Sequence, residues 1–111
     1  MIIKEIILNP EPYQEILLPI GSNILKAIIK ESGLAILLVE VLEEDYEDFN
    51  YSQDALDTWS IYIIPSNESF SEDIGCMCKY LSTLHMISSL GDIHLYHVYI
   101  INKSFLNDEN Y

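Results

Sequence analysis

The stretch Asn23-Ile24-Leu25-Lys26-Ala27-Ile28-Ile29-Lys30-Glu31-Ser32-Gly33-Leu34-Ala35-Ile36-Leu37-Leu38-Val39-Glu40-Val41-Leu42 decides the fold. From Leu34 to Leu42 only Glu40 interrupts the apolar run, the pattern of a strand buried on both faces. The first half reads two ways. Ile24, Leu25, Ile28 and Ile29 fall at helical spacing, Ser22 suits an N-cap, and Gly33 suits a helix stop. As a strand, the same residues pair with Leu34–Leu42 across Glu31-Ser32-Gly33. Local signals alone lean toward the helix.

The flanks read as strands. Met1–Leu8 is rich in isoleucine, and Asn9-Pro10-Glu11-Pro12 is a turn, since each proline pushes its predecessor out of the α region. Tyr13–Leu18 follows, and a hairpin over residues 2–18 is the natural pairing. Trp59–Ile64 is a strand stopped by Pro65. Cys78–Met86 and Ile93–Ile101 form a last hairpin around a loop from Ile87 to Asp92. In its second strand Tyr96, Val98 and Ile100 face one way, and Leu95, His97, Tyr99 and Ile101 the other. The pattern predicts an all-β domain, a small sandwich or half-open barrel of about seven strands built from hairpins. The alternative is an α+β fold with a helix at 23–31. One globular domain over 1–106 and a polar tail at 107–111 account for the chain, and no internal repeat divides it.

Composition narrows the function classes. The chain has 111 residues, half of them apolar, so it can bury a core. Eighteen acids against five lysines, and no arginine, set the formal charge at −13. That balance argues against direct nucleic-acid binding, because phosphate contacts need Lys or Arg. An anionic membrane surface is excluded for lack of a basic cluster, and no apolar run approaches the roughly 18–20 residues of a spanning helix. The start of the chain does not read as a signal peptide, since Glu5 follows at once and Pro10 and Pro12 break the run. Two cysteines, Cys76 and Cys78, are too few for a disulfide scaffold. A cytoplasmic protein is expected. Isoleucine far outnumbers valine, lysine replaces arginine, and asparagine and tyrosine are frequent, which is the usage of an AT-rich genome: a low-GC bacterium or a virus of one.

Three stretches taken in order resemble a family of small phage-associated proteins of unknown function. They are Leu18-Pro19-Ile20-Gly21-Ser22-Asn23-Ile24-Leu25 with the apolar run after it, the Trp59–Pro65 strand, and Tyr80-Leu81-Ser82-Thr83-Leu84 leading to His94-Leu95-Tyr96-His97-Val98-Tyr99. The resemblance implies an all-β fold, turns residues 23–31 toward a strand, and brings no catalytic residues. Ser82 stands where that family tends to have glycine, and the polar middle of this chain is longer and more acidic.

That middle is the strongest functional signal. Between Lys30 and Lys79 there are twelve acids and no base. Glu43, Glu44, Asp45, Glu47, Asp48, Asp54 and Asp57 crowd one connection, expected to run from Glu43 to Asp57, with Tyr46, Phe49 and Tyr51 among them. Packed carboxylates repel one another, so such a surface is either tolerated for solubility or used. Used, it imitates a phosphate backbone, occupying the Lys/Arg groove of a basic partner and releasing that partner's counterions. The rings then act as interface anchors while the acids steer.

Other chemistries fit less well. Cys76, Cys78, His85, His94 and His97 are zinc-ligand types at poor spacing, and His94 and His97 point to opposite faces of a strand. Asp45-x-Glu47-Asp48 lacks the glycine and the last glutamate of an EF-hand loop. Asp92, His94 and Ser88 or Ser89 lack any nucleophile-elbow context. The reading is therefore a non-enzymatic protein with no cofactor and no metal, plausible as a phage-encoded inhibitor that occludes a basic host nucleic-acid-handling or defence protein. The alternative is a small structural or assembly protein that oligomerises, its acidity serving solubility. Strands at Ile2–Leu8 and Ile93–Ile101 that are apolar on both faces point to a homo-oligomer in either case.

Overall fold

The computed structural model describes residues 2–42, 56–68 and 77–103. They form seven strands: β1 (Ile2–Ile7), β2 (Tyr13–Pro19), β3 (Asn23–Ile29), β4 (Ala35–Val41), β5 (Leu56–Pro65), β6 (Lys79–Ile87) and β7 (Ile93–Asn102). These make two antiparallel sheets, β1-β4-β3 and β2-β5-β7-β6. The fold is an all-β sandwich whose sheets share one core and do not close into a barrel.

The core is centred on Leu37 and Val39 of β4, Ile61 of β5 and Val98 of β7, all fully buried. Each such side chain stabilises the fold by about 1.5–3 kcal/mol relative to exposure. β4 is fully buried on its core face and only partly on the other, where Leu38 and Glu40 are half-buried. Leu37, Val39 and Val41 face the core, while Ile36 is covered on the other face between Ile7 and Ile28.

Residues 23–29 are a strand, and the helical spacing has a specific cause. The register shifts between Ile24 and Lys26, so Leu25 is the extra residue of a β-bulge. Ile24 stands opposite Val39 and Ala27 opposite Leu37. Core residues three apart on β3 thus meet residues two apart on β4. Gly33 serves the hairpin, not a helix stop. Its φ of 90° follows a turn closed by Gly33 N–H to Lys30 O at 2.8 Å, and Lys30 N–H bonds Leu34 O at 2.8 Å. A left-handed glycine after a turn suits both a helix end and a bulged hairpin, which is why local signals could not separate them. The β6–β7 hairpin uses the same bonding, with Gly91 N–H to Ser88 O and Ser88 N–H to Asp92 O.

The sheets are joined along one side. β6 has its own register shift between Tyr80 and Ser82. Ser82 Oγ accepts from Ala27 N–H at 2.8 Å and donates to Ala27 O at 3.2 Å. One side chain thus satisfies both free backbone groups of an edge residue in the other sheet. A glycine at this position has no hydroxyl to do so.

Two expectations are corrected. The hairpin over residues 2–18 does not form: β1 pairs with β4 and β2 with β5, so Asn9–Pro12 carries the chain from one sheet to the other. Pro10 and Pro12 have no N–H to give a ladder. The crossing is held instead by Gln14, whose side-chain amide donates to Asn9 O at 2.9 Å and accepts from Asn9 N–H at 3.0 Å. β4 is the central strand of its sheet, and β1 pairs along the edge that β3 leaves free. Second, the β5 strand is longer than Trp59–Ile64 and begins at Leu56, so Asp57 belongs to a strand and not to a connection running through it. The tail at 107–111 lies outside the described residues.

The strands run between two poles. At one, Val41 lies opposite Ile2, Leu56 opposite Pro19, and Asn102 opposite Trp59. At the other lie the Asn9–Pro12 crossing and the β3–β4 and β6–β7 turns.

Candidate functional site

The first pole is where most of the acidic sequence attaches. Segment 43–55 leaves β4 there and re-enters at β5, and residues 104–111 follow the end of β7, whereas residues 69–76 connect Glu68, just past the end of β5 at the other pole, to Met77 just before β6 at this one. Glu43, Glu44, Asp45, Tyr46, Glu47, Asp48, Phe49, Tyr51 and Asp54 lie outside the described residues; both ends of their segment are anchored at this pole. Asp57, the tenth expected site residue, is half-buried on β5 and accepts from Asn102 Nδ2 at 3.0 Å.

Charge is segregated. All five lysines and eight acids fall within the described residues, a formal −3; the other ten of the eighteen acids, with no base, fall in the three segments. Within the framework, opposite charges partly neutralise each other. Lys30 Nζ lies 2.6 Å from Glu5 and Lys103 Nζ 3.1 Å from Glu15. The Glu15 carboxyl also accepts from Tyr13 Oη at 2.7 Å, and this bond and the lysine hold it below the usual carboxylate range. Two buried polar atoms without a partner, Ser22 Oγ and Trp59 Nε1, also belong to this pole, in the β2–β3 turn and near the start of β5. Such atoms carry a desolvation cost of about 1–3 kcal/mol each, so polar satisfaction is least complete here.

The outer face of the four-stranded sheet carries a feature that only register reveals. Tyr13, Tyr62, Tyr99 and Tyr80 align across all four strands. Tyr13 and Tyr62 lie 4.9 Å apart at 51°, and Tyr80 and Tyr99 5.7 Å apart at 68°. Tilted rings knit the strands together and offer no flat stacking platform. Tyr80 Oη bonds Thr83 Oγ1, which in turn bonds His97 Nδ1 at 2.9 Å. Burial raises the Tyr62 hydroxyl above its ordinary value, with Tyr13 adding to the effect. The four tyrosines are far apart in sequence, so no local signal groups them.

The alternatives weighed from sequence are not assembled by these strands. His94 stands opposite Met86 and His97 opposite Thr83, on opposite faces of β7. Among the described residues no three His, Cys, Asp or Glu side chains gather as metal ligands. Burial pushes the Cys78 thiol up, away from nucleophilic character. No helix among the described residues is long and apolar enough to cross a membrane. No family model matches the chain, and neither a curated protein nor a solved structure matches it.

Proposed function

We propose that this is a non-enzymatic, phage-encoded acidic protein that occludes a basic surface of a host nucleic-acid-handling or defence protein in the host cytoplasm. The observation that carries the reading is the segregation of charge. A framework at −3 bears ten unbalanced acids outside the described residues, eight of them on the two segments, 43–55 and 104–111, that attach at one pole. If acidity served solubility alone, carboxylates spread over the whole surface would suffice and repel less. Concentrated, they match a groove built for phosphates and gain from counterion release on the partner. Tyr46, Phe49 and Tyr51 supply apolar anchors in the same segment. The family resemblance and the AT-rich usage support the phage origin.

The test is capture of basic host proteins at low and high salt, with duplex DNA as competitor. The comparison protein carries Glu43→Gln, Glu44→Gln, Asp45→Asn, Glu47→Gln and Asp48→Asn. The native chain is expected to lose its partner as salt or DNA rises, and the neutralised chain to capture little at any salt. Equal capture with equal salt response by both proteins sinks the reading.

A second reading, a small assembly protein that oligomerises, is favoured by one observation. Ile3 and Ile7 stand 58% and 62% exposed on the outer face of the edge strand β1. Light scattering over a wide concentration range tests this second reading, which a mass held at 12.8 kDa throughout sinks.

A further inference from the structure

The pole opposite the attachments of segment 43–55 opens between the sheets into a cavity of about 450 Å³. That is within the roughly 300–1,000 Å³ of sites that hold a discrete apolar group. Leu8 and Leu84 are its buried floor, Ile63 and Tyr96 its half-buried wall, and Leu34 and Met86 its exposed rim. Pro10, Pro12 and Pro65 frame the opening, and their fixed backbone angles hold its shape. Left open, the floor and wall forgo dispersion contacts that a fitting side chain would make.

The rim has one sign of charge. Glu11 and Glu68 line the cavity, and Glu31 and Asp92 sit in the two hairpin turns of the same pole. None of the five lysines lines it, and Lys30, the lysine of the β3–β4 turn, is held by Glu5. A second copy of this chain is a poor occupant, because its own rim would bring the same carboxylates face to face. A neutral apolar group would fill the floor and leave the rim acids unanswered.

We propose that this mouth docks a segment of a basic protein that presents one bulky apolar side chain between lysines or arginines. The apolar side chain enters between Leu8 and Leu84 and touches Met86 and Leu34 on the way in. The flanking cations meet Glu11 and Glu68. The site stands on the shape and charge of this pole and does not require the acidic segment 43–55 to act.

The experiment uses the full chain and a synthetic peptide, Lys-Lys-Leu-Lys-Lys with blocked ends. Two control peptides replace Leu by Ala or every Lys by Glu. Backbone chemical shifts locate binding and titration measures it. The expected result is shift changes at Leu34, Ala35, Ile63, Leu84 and Met86, about tenfold weaker binding of the Ala peptide, and none of the Glu peptide. In the protein, Glu11→Gln with Glu68→Gln weakens binding and steepens no other property. Leu34→Ser with Met86→Ser abolishes the discrimination between the Leu and Ala peptides. Both pairs are rim residues, so the fold survives them. The variant neutralised at residues 43–48 still shows the changes at the mouth, which separates this site from the acidic pole. Equal binding of Leu and Ala peptides overturns the proposal. So do shifts confined to the acidic pole, equal binding of the Glu peptide, or mouth shifts that grow with protein concentration alone.

Discussion

The two poles of this sandwich answer opposite problems. At one, the acidic segment 43–55 leaves and re-enters the strands, and two buried polar atoms among the described residues lack partners. At the other, short turns with matching hydrogen bonds close both hairpins, and the sheets part over an apolar floor. One pole carries charge without a described apolar anchor, and the other an apolar cavity ringed by a few charges. The shared core holds both at fixed separation. The difference teaches that a small domain can present two recognition chemistries when its connections, not its strands, carry the charge.

Core truncations test the openness of the mouth and have the largest effect. Leu37→Ala, in the middle of the core, is expected to cost about 3–5 kcal/mol. Leu84→Ala, on the floor of a cavity that already admits solvent, is expected near the low end, about 2 kcal/mol. Urea unfolding measures both. Equal costs would mean the cavity is closed in solution, and the contrast between poles would disappear.

The seam between the sheets comes next. Ser82→Ala removes the hydroxyl that satisfies Ala27 and leaves an N–H and a C=O unpaired, at a cost of about 1–3 kcal/mol. Amide exchange at Ala27 should accelerate far more than exchange at Leu37. If both amides keep their native rates, the hydroxyl is not what joins the sheets.

Salt gives a smaller effect that belongs to the acidic pole. Self-repulsion at −13 lowers stability, and salt screens it. The melting temperature should rise by a few degrees from low to high sodium chloride. The chain neutralised at residues 43–48 should rise less. Parallel responses would show that repulsion is spread over the framework and not concentrated at one pole.

The smallest effect lies on the tyrosine row between the poles. Burial holds the Tyr62 hydroxyl above its ordinary value of 10.0. The unfolded chain therefore ionises first as pH rises. Stability from this group is fully present below pH 10 and is lost as pH climbs from there toward the folded value. Absorbance titration should find one tyrosine ionising late, and Tyr62→Phe should flatten the alkaline loss of stability. An unchanged alkaline limb would assign the loss to another group.

Strand positions at both ends of the chain were legible because alternation and proline are local signals. Tyr96, Val98 and Ile100 turn inward on β7 and Leu95, His97 and Tyr99 outward, as alternation predicts. The β6–β7 hairpin was legible from Gly91 with the apolar runs around it, whereas the β3–β4 hairpin was not, because Gly33 suits a helix stop as well as a turn. The 2–18 hairpin was misread because proximity in sequence favours pairing, and nothing in Ile2–Leu18 says that β4 needs a neighbour on its far side. Of the expected site, nine residues lie outside the described structure, and the tenth, Asp57, sits on a strand in the grip of Asn102.

What the amino-acid order determined alone is the class of fold, the places where strands stop, and the crowding of carboxylates into one stretch. These depend on side-chain period, on the backbone limits of Pro and Gly, and on charge, all properties of neighbours in the chain. Tertiary structure decided which strands pair, that a bulge at Leu25 turns a helical spacing into a strand, and that Ser82 bridges two sheets. It also gathered four tyrosines into one row and put both ends of the acidic segment 43–55 at the pole opposite the apolar mouth. Each of those depends on residues tens of positions apart meeting across a shared core, and burial there is settled by the whole set of strands competing to cover apolar surface.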